Sequence, residues 1–172
     1  MAHFDTMGLV CFVLLGFGWS KPVPINPNNF NKYKAGCFWT SIAGVLANYL
    51  LAFVALPLLF ISFYIPNFGY FTYVLQNTLF YVYNLSLVFF VFNLLPLYPL
   101  DGFRAISVFN KKRGKVFQFL RDKGIFVLYG LFALSFIADL TGLYYIDILG
   151  MIINYVTGLI SIPITLFWGL IF

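Results

Sequence analysis

Apolar positions in this chain come in long, nearly uncharged blocks. They show neither the alternation of a half-buried strand nor the polar stripe of a soluble amphipathic helix. Residues 36–65 and 71–95 form two such blocks, and residues 124–138 and 148–172 form two more. About 20 apolar residues suffice for one helical crossing of a bilayer, so the pattern predicts four membrane spans. Residues 7–18 form a shorter apolar segment, below the length of a simple span, and read as re-entrant or as the remnant of a longer helix.

The breaks between blocks are equally informative. Trp19-Ser20-Lys21-Pro22-Val23-Pro24-Ile25-Asn26-Pro27 cannot be helical, because each proline lacks an amide donor and restricts the residue before it. Pro66-Asn67-Phe68-Gly69-Tyr70 has the composition of a turn, and Pro57 marks a kink inside the first long span. Residues 103–123 carry most of the charge and predict a short amphipathic helix plus a loop at the membrane surface. Residues 139–147 form a short acidic connection. The expected architecture is an all-α polytopic integral membrane protein. It has one domain over residues 1–172, four to five transmembrane helices and a proline-broken segment before Asp101.

Composition agrees and narrows the class. The chain is 62% hydrophobic and 9% charged, where a soluble domain is usually about 25% charged, so no separate soluble domain fits. Its net charge is +5, but all ten Lys and Arg residues fall in the first and third connections. The positive-inside rule makes that side cytoplasmic, together with the C-terminus, in a multi-pass protein of the plasma membrane. The cations are thereby assigned to topology, with the lipid bilayer as partner and no nucleic acid. Trp19, Trp39, Tyr70, Tyr144 and Tyr145 lie at segment ends, as interfacial aromatics do. Cys11 and Cys37 lie in or beside apolar segments and imply no disulfide framework.

The candidate chemistry is concentrated in Asn93-Leu94-Leu95-Pro96-Leu97-Tyr98-Pro99-Leu100-Asp101-Gly102. An ionisable group at membrane depth is costly unless it meets a partner, a cavity or a metal, which makes Asp101 a candidate site. Asp-Gly after Pro-Leu is also a good turn, and Asp101 is equally suited to cap a helix beginning at Phe103. Asn93 and Asn48 have the parallel reading of interhelical hydrogen-bond glue, with Gly44 allowing close helix approach. Two intramembrane asparagines, a broken backbone and a carboxylate together have the character of a built polar site.

Three of these segments resemble the motifs of one family. Phe17-Gly18-Trp19-Ser20-Lys21-Pro22-Val23-Pro24-Ile25-Asn26-Pro27 is similar to the FGWAKPVPVNP segment of the small bacterial site-2 proteases. Those are polytopic zinc metalloproteases that cut other transmembrane proteins within the bilayer. Ala43-Gly44-Val45-Leu46-Ala47-Asn48 resembles their AGPxAN element, with Val45 where proline is usual, and residues 93–102 resemble NLLPxxPLDG. Ala2-His3-Phe4-Asp5-Thr6-Met7-Gly8 is similar to the NPxAHxDxxG stretch. The resemblance runs in order along essentially the whole chain. It implies an intramembrane zinc endopeptidase with Asp101 as a metal ligand and Asn48 in a catalytic role, holding the substrate strand or stabilising an oxyanion. Trp19, Lys21, Pro22 and Asn93 are then implied as substrate-binding residues, and a transmembrane protein as the substrate.

One departure is severe. The family binds its zinc through an HExxH helix as well, and this sequence has one histidine, His3, and no glutamate. His3 belongs to the NPxAHxDxxG-like stretch, so no ligand role is carried onto it, and the spacing of His3, Cys11, Cys37 and Asp101 favours no substitute site. Two explanations follow. Either Met1 falls within the family pattern and the zinc helix lies upstream of it, or the chain is an inactive homologue that binds membrane segments without cutting them. The retained Asn48, Asn93 and Asp101 favour the former, since an inactive site has no need of a costly carboxylate. A transporter subunit is a third class, but it would be expected to carry a second ionisable residue within the spans.

Overall fold

The computed structural model describes Thr6, residues 30–109 and residues 114–172. The chain divides into two units, Met1–Tyr33 and Lys34–Phe172, and the elements below make up the second. Every regular element among the described residues is helical. Helix α1 is Tyr33–Ser62, α2 is Tyr70–Leu94, α3 is Asp101–Phe109, α4 is Lys115–Thr141 and α5 is Ile148–Gly169, with a 3-10 turn at Tyr144–Ile146. Helices α1, α2, α4 and α5 are each long and apolar enough to cross a membrane. Most of each spanning surface faces outward and is apolar, which water would not tolerate and a bilayer requires. The protein is therefore an all-α, multi-pass membrane protein.

The core joins α1, α2 and α5. Ala52, Ala55, Leu56 and Leu59 of α1 pack with Tyr83 and Leu87 of α2 and Ile164 of α5. The small side chains at 52 and 55 let the helices approach, since lipid tails supply no hydrophobic drive between them. Pro57 has a consequence beyond a kink. It has no amide hydrogen, so the carbonyl of Phe53 one turn earlier loses its helical donor. Trp168 of α5 fills the gap, its indole Nε1 donating to the Phe53 oxygen at 2.9 Å. A proline in one helix thus fixes the register of another.

The turn between α1 and α2 is closed by side-chain bonds: Asn67 Oδ1 accepts from the Gly69 amide at 2.8 Å, and Thr72 Oγ1 from the Phe68 amide at 2.9 Å. Gly69 has φ +68°, a conformation that asks for glycine. Between α4 and α5, Asp147 caps α5 by accepting from the Gly150 amide at 2.8 Å, and it also accepts from the Ser135 hydroxyl on α4.

One predicted boundary is wrong. Lys115 to Lys123 do not form a surface loop; they are the first turns of α4, which runs unbroken from Lys115 to Thr141. No proline interrupts the helix, and its two glycines, Gly124 and Gly130, each cost only about 1 kcal/mol of helix propensity. The helix ends where Gly142 takes a left-handed φ of +71°. The apolar segment 7–18 lies outside the described residues.

Candidate functional site

The polar turn begins where α2 stops. Leu95 leaves the helix with extended dihedrals (φ −57°, ψ 137°), as a residue before proline must. The chain then reverses through Leu97-Tyr98-Pro99-Leu100, where the Leu100 amide donates to the Leu97 carbonyl at 2.8 Å and the Tyr98–Pro99 bond is cis. Helix α3 starts at Asp101, and the Arg104 amide reaches the Leu100 carbonyl at 3.3 Å.

Two glycines fix where this turn sits. Gly102 lies against the end of α2 so closely that a methyl group there would fall onto the Leu94 carbonyl, 2.8 Å from the Leu95 oxygen. Gly124 of α4 meets the Tyr98 backbone, where a methyl would lie 2.8 Å from the amide nitrogen and 3.0 Å from the carbonyl oxygen. Aromatic contacts tie α3 to α4 and to α1. The Phe103 ring stacks on Phe117 of α4 at 4.9 Å, and Phe109 meets Phe38 of α1 edge-on at 5.2 Å.

Asp101 emerges facing α1. A Cβ built on Gly44 would lie 3.6 Å from Asp101 Oδ2, so the carboxylate packs directly over the glycine. Asn48 stands one turn further along α1, on the same helical face as Gly44. The capping role foreseen for Asp101 is not taken up: the helix begins at Asp101 itself, and no described amide donates to its carboxylate. Its charged neighbour is Arg104, one turn on in α3, with Nη1 3.8 Å from Oδ1. Asp101 lies outside the four spanning helices; partial burial pushes its carboxyl above the ordinary carboxylate range, and the Arg104 guanidinium opposes that shift.

Depth follows from two neighbours. Along α1, Gly44 lies eight residues past Gly36, where the apolar run begins, or about 12 Å at 1.5 Å per residue. Along α4, the turn touches Gly124, the residue next to Lys123, the last cation of that helix. The carboxylate therefore lies in the basic half of an apolar slab about 30 Å thick.

The other predicted residues fare unequally. Asn93 does not join Asp101 by any described hydrogen bond; its amide donates to the Phe89 carbonyl of its own helix at 3.0 Å. Trp19, Lys21, Pro22, His3 and Cys11 lie outside the described residues. Cys37 is a half-buried free thiol near the start of α1. Arg104 and Gly124 were not singled out from the sequence. The i, i+3 spacing of Arg104 from Asp101 is a signal that could have found the first, but nothing local marks the second.

The sequence is 38% identical over 107 residues to a Bacillus subtilis (strain 168) protein named "Putative zinc metalloprotease YwhC". The aligned region covers 61% of this chain and 49% of that relative. The chain thus spans about half the length of the relative it matches. No family model matches the sequence, and no solved structure matches it.

A zinc ion in a catalytic site takes three protein ligands and keeps one position open. Among the described residues no three His, Cys, Asp or Glu side chains come together. Asp101 offers one carboxylate, and Gly44 and Asn48 beside it add no anionic or imidazole donor. The described residues do not make a zinc site by themselves.

Proposed function

We propose that this chain carries the aspartate-bearing part of an intramembrane zinc metalloendopeptidase of the site-2 class, acting on transmembrane segments of other proteins. Asp101 is its metal ligand, Asn48 a catalytic residue beside it, and Trp19, Lys21, Pro22 and Asn93 bind the substrate. The other zinc ligands and the base come from outside these 172 residues, because one histidine and no glutamate cannot supply them. The basic connections and the C-terminus face the cytoplasm.

The observation that carries this reading is the state of the Asp101 carboxylate. It is taken out of helix capping and held over a glycine one helical turn from an asparagine, at a break in a membrane helix. A carboxylate needed only for the turn would be expected to bond the amides of its own helix. The metalloprotease name of the Bacillus subtilis relative supports the same class.

A second reading rests on the donor count: a homologue that binds membrane segments without cutting them. Zinc content separates the two. Protein purified from its own membrane should hold about one zinc per chain, lost together with cleavage of a transmembrane substrate in Asp101→Ala. Unaltered protein without zinc would leave binding as the function, and a zinc-loaded, active Asp101→Ala would overturn the ligand assignment.

A further inference from the structure

Beside the polar turn, α1 and α3 leave an open groove of about 230 Å3 with an almost wholly apolar lining. Phe38 and Ile42 form one wall, Ala105, Ile106 and Phe109 the other, and Leu94 closes the inner end over Gly102. Ile106 and Phe109 are 49% and 62% exposed, so the groove faces outward from the helix bundle. In a spanning protein that direction is lipid.

Charge indicates which lipid. Lys34, Phe38 and Ile42 follow one another at four-residue intervals along α1 and so share one helical stripe. The stripe is apolar along the groove and ends in the exposed ammonium of Lys34, one turn beyond Phe38. The only acidic side chain described near the groove, Asp101, lies at its inner end, already facing Arg104. An apolar slot with a cation at the mouth and no anion beside it matches an acyl chain below an anionic headgroup. Zwitterionic lipid would fill the slot equally well but gain nothing from the cation.

We infer that the α1–α3 groove is a binding site for an anionic phospholipid, with one acyl chain along Phe38, Ile42, Ile106 and Phe109 and the phosphate at Lys34. The site is independent of any metal at Asp101, and it lies next to the residues that position that carboxylate.

Trp39 makes the site testable, because it is 61% exposed and its ring lies 5.7 Å from that of Phe38. The complete protein is placed in phosphatidylcholine vesicles containing a minor fraction of tail-brominated phosphatidylglycerol or tail-brominated phosphatidylcholine. Quenching of Trp39 is taken as the difference between the unaltered protein and Trp39→Phe. One cation near the headgroup favours an anionic lipid about fivefold, so brominated phosphatidylglycerol should quench at a correspondingly lower fraction. That preference should vanish in Lys34→Gln and in high salt. Filling the slot with Ala105→Leu should reduce quenching by both lipids; should that variant misfold, Ile106→Gln at the exposed wall serves instead. Equal quenching by the two lipids, or a preference that survives Lys34→Gln, overturns the inference. Displacement of both lipids alike by an uncharged transmembrane peptide would make the groove a protein-docking surface and overturn it as well.

Discussion

The bond between Trp168 and Phe53 exists because of Pro57, and that dependence can be measured. Replacing Trp168 by Phe leaves the ring but removes the only donor described on the Phe53 carbonyl. A buried carbonyl left without a donor costs about 1–3 kcal/mol, whereas interhelical hydrogen bonds in membrane proteins average only about 0.6 kcal/mol by double-mutant cycles. The Phe53 oxygen belongs to the costly end of that range. It has no helical donor to fall back on, and Trp168 packs among aromatic rings at 5.1–6.2 Å. We therefore expect Trp168→Phe to lower stability by about 2 kcal/mol, part of it lost packing. The decisive comparison is with Pro57→Ala, which restores an amide at position 57 able to donate to Phe53. In that background Trp168→Phe should cost about 1 kcal/mol less, because the carbonyl is no longer orphaned. Unfolding of the four proteins by sodium dodecyl sulfate in mixed micelles, followed by far-ultraviolet circular dichroism, gives the cycle. A coupling of zero, with Trp168→Phe equally costly in both backgrounds, would refute the claim that proline creates the need for the indole.

Three further outcomes follow from the contacts of single residues. Gly102→Ala should destabilise by about 1–3 kcal/mol in the same assay, since its methyl meets the backbone of α2, while Gly130→Ala, with open space around it, should be neutral or stabilising; equal stabilities would contradict the close approach. Gly44→Ala should be accommodated, because 3.6 Å to Asp101 Oδ2 is ordinary contact, and should gain up to about 1 kcal/mol of helix propensity; a loss of that size would mean the carboxylate is packed differently. Asp147→Ala removes the acceptor for both the Gly150 amide and the Ser135 hydroxyl and should cost about 1–2 kcal/mol, with Asp147→Asn recovering much of it; an unchanged midpoint would show that the α4–α5 turn does not depend on the cap.

How much of this was legible in the sequence depends on the range of the interaction. The four spans were visible because their signal is local and long: α1 and α2 end within three residues of the predicted limits. The start of α4 differs from the expected one because charge signals a surface loop, whereas Arg121, Asp122 and Lys123 are all exposed within the helix. Asp101 stands out in the sequence because an ionisable group at membrane depth is costly without a partner. Its neighbours were only partly found. Gly44 was noted as a site of close approach, but that the approaching group is Asp101 depends on how α3 packs against α1. The need of the Phe53 carbonyl for a donor follows from Pro57 in the sequence, but Trp168 lies 115 residues from Phe53, and no local pattern connects them.

The same contacts explain how a polar turn is kept in an apolar setting. Backbone at membrane depth is tolerated only when protein covers it. Here the cover comes through glycines on three different helices: Gly102 brings α3 onto the end of α2, Gly124 brings α4 onto Tyr98, and Gly44 opens α1 to the Asp101 carboxylate. The first two approaches are backbone to backbone, so a side chain at either position forces whole elements apart. The third is backbone to side chain, and it leaves room. That difference has a functional sense. A turn that must hold a carboxylate at a fixed place needs rigid supports behind it. Gly102 and Gly124 provide the supports, and Gly44, with no side chain, lets the Asp101 carboxylate pack against α1.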